Sequence, residues 1–199
     1  GARILLNTEA TPEMIEEEKP DVLIIAVGAD PVIPPVPGIE KAISALDVYN
    51  YPEKVGKRVA IIGGGLVGVD VGLFLNEQGK EVTVVEMQDI LAREAWCMYR
   101  NALMEEVEKR QLRYRLATSC KKIASNGILV KKNNAEELIE ADTVVYSVGM
   151  RSRKDTVVTL RSAAEKAGVK QILVIGDCSR PGKIGDAVPD GHMAALQIK

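Results

Sequence analysis

The sequence predicts an α/β fold, and three observations carry that prediction. Short apolar segments alternate with amphipathic helical ones along most of the chain, the pattern of strands wrapped by crossover helices. Three glycines, Gly63, Gly65 and Gly68, stand where one apolar segment gives way to a helical one. Of 199 residues, 46% are apolar and 27% charged, which suits a packed core rather than a disordered chain.

Taken in order, residues 3–7 read as a short strand. Thr11 can cap a helix with Pro12 at its first position, and Glu13, Glu16, Glu17 and Glu18 suit the positive end of its dipole. Pro20 ends it. Residues 22–27 are continuously apolar and read as a buried strand. Pro31, Pro34, Pro35 and Pro37 then fix the backbone into a stiff connection. A second unit opens near Lys57 with a strand at 58–62, followed by a helix at 66–78. Val67, Val71, Phe74 and Leu75 fall on one face of that helix, and Gly79 stands where a left-handed cap is wanted. Residues 82–85 form the next strand. The helix after it carries Trp96, Tyr99, Leu103 and Val107 on one face, with Glu105–Lys109 and Glu106–Arg110 spaced for ion pairs. Residues 112–132 suggest an antiparallel meander with Asn126-Gly127 at a hairpin turn. Strands at 143–148 and 172–175 and a helix at 185–198 complete the chain. Residues 22–28 and 143–149 echo one another as apolar strands ending in glycine, which suggests two related nucleotide units.

Several function classes are disfavoured. The net charge is −2 and basic residues form no stripe, so a nucleic-acid partner is not expected. The longest apolar run, residues 22–29, is too short to span a bilayer. With no secretory signal visible, the expectation is a cytoplasmic protein with no membrane partner. Cys97, Cys120 and Cys178 are odd in number and widely spaced. They suggest reduced thiols, at least two of them packing residues, and neither a disulfide framework nor a metal site. The chain opens on Gly1 rather than methionine, which suggests a piece of a longer protein.

The chemistry is concentrated at Gly63-Gly64-Gly65-Leu66-Val67-Gly68. A Gly-x-Gly-x-x-Gly cluster alone is weak evidence, but here it follows a strand and opens a helix. The first glycine permits a tight turn, the second lets backbone approach a diphosphate, and the third lets helix and strand pack closely. The helix N-terminus offers unpaired N–H groups to the anion. Glu86 follows 23 residues after Gly63, at the end of the next strand. Its carboxylate can accept hydrogen bonds from the adenosine ribose and would repel a 2′-phosphate, so NAD(H) is preferred to NADP(H). The competing reading is a glycine-rich turn with an ordinary surface glutamate.

These residues, together with Val82-Thr83-Val84-Val85-Glu86, resemble the NAD domain of two-dinucleotide flavoprotein reductases. Residues 21–31 resemble the strand and glycine that close the FAD domain in that group, and residues 172–177 with Gly185-Asp186-Ala187 resemble its late Gly-Asp flavin motif. Within the group the likeness is to the C-terminal half of the NADH:flavin oxidoreductases related to old yellow enzyme, of the 2-enoate reductase, 2,4-dienoyl-CoA reductase and trimethylamine dehydrogenase type. The resemblance implies a Rossmann-like, three-layer NAD domain at residues 46–150, inserted in a partial FAD-binding domain formed by residues 1–45 and 151–199. It implies that Gly63, Gly64, Gly65, Leu66, Val67, Gly68, Glu86 and Gly149 hold NAD(H). Gly28, Gly176 and Asp177 would hold FAD, weakly or not at all in this piece.

The resemblance further implies hydride transfer from NADH to FAD and onward to FMN and an unsaturated substrate. FMN and a 4Fe-4S cluster would belong to an N-terminal barrel domain of the parent chain, which would be the partner of this region. No catalytic acid or base and no metal ligand is assigned within the chain itself. Asp70 stands where relatives often have glutamate, and neither it nor His192, the one histidine, is given a role. Two other readings remain: a non-catalytic dinucleotide-binding module, and a stand-alone NAD-dependent dehydrogenase.

Overall fold

The computed structural model describes residues 1–198. It divides into two compact units, Gly1–Asp30 together with the chain from Met150 onward, and Pro31–Gly149.

The second unit is built on five parallel strands. β3 (Ile43–Ser44), β4 (Arg58–Ile62), β5 (Glu81–Val85), β6 (Arg113–Arg115) and β10 (Thr143–Tyr146) lie in the order β3-β10-β4-β5-β6. Three further strands, β7 (Ser119–Ala124), β8 (Gly127–Lys132) and β9 (Ala135–Glu140), form a separate antiparallel meander. Three helices complete the unit: α2 (Ala45–Asn50), α3 (Leu66–Glu77) and α4 (Cys97–Lys109).

Strand alternation explains the three layers. Val59 and Ile61 of β4, with Val82 and Val84 of β5, pack on Val69, Val71 and Leu75 of α3 and on Leu103 and Val107 of α4. Their neighbours Ala60, Ile62 and Val85 face the other way, onto Ile123, Ile128 and Val130 of the meander. Successive side chains of a strand point to opposite faces, so a sheet covered on both sides needs the near-continuous apolar runs seen here.

In the other unit, α1 (Pro12–Glu18), β1 (Val22–Ile25) and β2 (Ala29–Pro31) precede the break. After it come β11 (Met150–Ser152), α5 (Lys154–Lys166), β12 (Gln171–Val174) and α6 (Ile184–Leu196). β1 pairs in parallel with β12, and Ile15, Ile25, Leu160, Ala163, Ala164 and Cys178 make its core. The Thr11 side chain accepts from Met14 N at 3.4 Å, so the cap and the Pro12 start lie where the sequence put them.

Several expectations are corrected. Residues 3–7 form no strand: they have no pairing partner, and Ile4 and Leu6 stand exposed. The first boundary falls at Asp30/Pro31 rather than at 45/46. Val36, Ile39 and Ala42 pack against the meander core, Ile123 N donates to Pro37 O, and β3 joins the sheet beside β10. The strand at 22–27 is shorter and only Ile25 of it is buried, because its sheet has two strands. Pro31 ends β2, a strand-terminal place of the kind proline tolerates. Val67 is exposed while Val69 is buried, since α3 packs through Gly68 and Gly72 and turns that face to the sheet. Trp96 precedes α4 as its N-cap residue and Tyr99 is exposed, leaving Leu103 and Val107 as the buried face. Glu106 pairs with Arg110 as its spacing indicated, but Lys109 pairs with Glu106 too rather than with Glu105. β6 joins the parallel sheet instead of the meander. Of the cysteines, Cys178 is buried, Cys120 is half-buried and Cys97 is exposed.

Candidate functional site

All five strands of the sheet run parallel, so their C-terminal ends share one edge, the edge where open α/β sheets bind ligands. The glycine loop lies there between β4 and α3. Gly63 has φ +104°, and a β-carbon on it would collide with the Ser147 carbonyl oxygen. Its N–H donates to Val85 O at 2.9 Å. A β-carbon on Gly68 would collide with the Gly63 carbonyl oxygen. These two positions therefore admit only glycine, one for the turn and one for the closeness of helix to loop. Gly65 differs. It is extended and N-caps α3 without a side chain, and a β-carbon there would meet only the Glu94 carboxylate, at 2.9 Å.

Glu86 follows β5 and is buried, with 8% of its surface exposed. One carboxylate oxygen accepts from Gly64 N at 2.6 Å and the other from Gln88 N at 2.7 Å. The acid thus ties the glycine loop to the next strand's end, a role its spacing did not reveal. A carboxylate has about four lone-pair sites, so acceptor capacity remains beyond these two bonds. Gly149 lies at the same edge, three residues past β10, with φ +105° and nothing near the position of a β-carbon. Leu66 and Val67 begin α3, Leu66 partly buried against the core and Val67 exposed.

The segment after Glu86 was not expected at this site. Leu91 and Ala92 are buried, and Ala92 N donates to Gly64 O at 2.8 Å. Arg100 Nε donates to Leu91 O at 2.9 Å. Beyond these anchors, exposed Glu94 accepts from Leu66 N, the first helical amide of α3, at 2.5 Å. No periodicity marks such an acid. The only sequence signal was a run of three apolar residues, Ile90 to Ala92, flanked by the charges of Asp89 and Arg93 after the Glu86 strand.

Asp70 lies one turn into α3. Burial pushes its carboxyl above the ordinary 3.8, opposed by a hydrogen bond with Tyr99. The Asp70 charge is the main reason the Tyr99 hydroxyl lies above its usual range, while Tyr49 is raised chiefly by burial and next by Asp70. Tyr49 also packs on Phe74, with ring centroids 4.8 Å apart.

The other unit contains a cavity of about 710 Å³ lined by Ala26, Gly28, Ile175, Gly176, Asp177 and the 182–187 segment. It brings Gly28, Gly176 and Asp177 together. At Gly28, Gly176 and Gly185 the space a β-carbon would fill is open. Asp177 Oδ1 accepts from Gly182 N at 3.1 Å, and Gly176 N donates to Asp190 at 3.2 Å. His192 is exposed on α6. Among the described residues, no helix is long and apolar enough to cross a membrane.

Comparison with known proteins adds a family. Residues 5–194 match the family described as pyridine nucleotide-disulphide oxidoreductase. The bilirubin reductase of Mediterraneibacter gnavus is 37% identical over 96% of the chain, and the cinnamate reductase of Clostridium sporogenes is 33% identical over all of it. A solved 2-naphthoyl-CoA reductase superposes over 98% of the chain with a TM-score of 0.87 and 29% identity. The chain spans less than a third of the length of each, 29%, 30% and 29% respectively.

Proposed function

This chain belongs to the pyridine nucleotide-disulphide oxidoreductase family, and from that premise we propose that it is the NADH- and FAD-binding region of a flavin-dependent reductase. The observation that carries the reading is the loop Gly63–Gly68 held open-faced at the sheet edge by Glu86. Its first and third glycines are demanded by collisions within the fold. The second is not: a β-carbon there would meet only the Glu94 carboxylate, the end of an exposed side chain, so bare backbone lies beside the α3 N-terminus. A turn made only for packing would have no use for glycine at that second position.

In this reading the diphosphate lies on the backbone amides that open α3, beyond Gly63 and Gly64, whose own amides are bonded to Val85 and Glu86, and α3 contributes its dipole. Glu86 accepts from the ribose hydroxyls with its remaining lone pairs and disfavours a 2′-phosphate. Gly149 leaves room along the dinucleotide. The cavity of the other unit suits FAD. Its size is within the range of small-molecule sites, its glycines keep backbone approachable, and Asp177 and Lys183 line it. Gly28 and Gly176 would admit the cofactor's backbone contacts, and Asp177 would hold its ribityl chain. When bound, FAD supplies the acceptor for the hydride of NADH. The protein's part is placement and exclusion of water, and such a transfer requires no general acid or base. In a longer parent protein the electrons would pass to FMN, beside a 4Fe-4S cluster, and to an unsaturated substrate. The bilirubin and cinnamate reductases among the relatives favour that type of acceptor.

The test is a calorimetric titration of the purified chain with NADH and, separately, NADPH. NADH is expected to bind more tightly. Glu86→Arg should weaken NADH by about 1.5–3 kcal/mol, the scale of a charged hydrogen bond, and should narrow the gap to NADPH. Preference for NADPH in the parent would overturn the role given to Glu86. The appearance of a flavin spectrum after incubation with FAD, bleached by NADH, separates a reductase from a non-catalytic dinucleotide module.

A further inference from the structure

The N-terminus of α3 already holds an anion, and the protein supplies it. Glu94 Oε1 lies 2.5 Å from Leu66 N, and the same oxygen would be 2.9 Å from a β-carbon on Gly65. That is the face of the loop that the second glycine leaves open, and the amide is one a helix offers to phosphate. We infer that Glu94 is an internal stand-in for the dinucleotide diphosphate, which must displace it, so that this residue sets the affinity for NADH. The inference rests on the dinucleotide reading of the glycine loop.

Three features fit such a role. The segment carrying Glu94 is fixed where it needs to be, since Leu91 and Ala92 are buried and bonded to Gly64 and Arg100. Glu94 itself is exposed, so releasing the amide is a movement of its side chain at the surface. Two anions cannot share one N–H donor, and a carboxylate left beside the diphosphate would repel it at contact distance. Glu94 therefore stabilises the ligand-free loop and opposes the ligand. Glu86 contrasts with it, since it is buried and bonded to Gly64 rather than to the helical amides.

The experiment compares the parent chain with Glu94→Gln and Glu94→Ala by two readouts, the thermal midpoint without ligand and the NADH dissociation constant by calorimetry. Both variants are expected to bind NADH more tightly, by roughly two- to tenfold, the scale of a charge at a partly exposed helix terminus. Glu94→Ala is expected to lower the ligand-free midpoint at the same time, because the Leu66 amide loses its partner. Glu94→Gln keeps an acceptor for that amide and tests charge alone in a folded protein. A residue that only props the loop would weaken both properties together, and equal or weaker NADH binding in Glu94→Gln would overturn the inference while leaving the site intact. If neither the parent nor any variant binds NADH or ADP, the dinucleotide reading of the loop fails and the inference falls with it.

Discussion

The two units are built from similar strands and helices, yet they bury them very differently. In the second unit β4 is buried from Val59 to Ile62, and α3 has Val69, Val71 and Leu75 fully enclosed. In the other, every residue of β12 is only partly buried, and α6 turns Ile184, Val188 and Leu196 to solvent at 82%, 65% and 66% exposure. The difference follows from layers. A five-stranded sheet with helices on one face and a meander on the other can bury both sides of its strands. A two-stranded sheet with α1 and α5 packed near it leaves edges and a face open. The glycine loop of the second unit therefore stands on a sheet covered on both faces, whereas the cavity at Gly28 and Asp177 lies beside a two-stranded one.

That contrast can be broken by experiment, beginning with the largest effect. Leu75→Ala, in the fully buried face of α3, should cost about 2–5 kcal/mol in denaturant unfolding. Ile172→Ala in β12 should cost less than half as much, and equal costs would remove the distinction. Gly68→Ala forces a β-carbon into the Gly63 carbonyl and should destabilise by about 1–3 kcal/mol, with NADH binding lost in the same titration. Hydrogen exchange followed by mass spectrometry should find the amides of Val59 to Ile62 the slowest in the chain. Those of β1 and β12 should open earlier, and uniform protection would contradict the account.

The smallest effect concerns Asp70. Its folded-state pKa is raised by burial, so its contribution to stability is present when it is protonated and is lost as pH rises through that value. Asp70→Asn should therefore raise the thermal midpoint at pH 7, and the gain should fade as the pH falls through the raised value toward the ordinary 3.8. A gain independent of pH would assign the effect to something other than the charge.

Much of the site was legible in the sequence. The glycine loop, its strand and its helix were placed within a residue or two, and Glu86 was found at the sheet edge. What could not be read were contacts made by partners distant in sequence. Residues 3–7 had the composition of a strand and no strand to pair with. Trp96 and Tyr99 matched a helical stripe, but Trp96 falls before α4 begins. The prolines of residues 31–37 suggested a linker, yet Val36 and Ile39 found a core in the meander. α5 escaped notice because its buried face, Leu160, Ala163 and Ala164, is two-thirds alanine and gives little apolar contrast.

The sequence by itself determined the alternation of strand and helix, the glycine turn, and the acid that follows it. Each of these depends on local backbone geometry or on a short, regular spacing. Only the tertiary structure decided which faces are buried, where one unit ends, and what stands over the α3 amides. Those outcomes depend on which surfaces meet after the chain has folded back. Glu94 reaches Leu66 across 28 residues, through a segment with no period of its own, and that contact exists only once Leu91 and Ala92 have been buried.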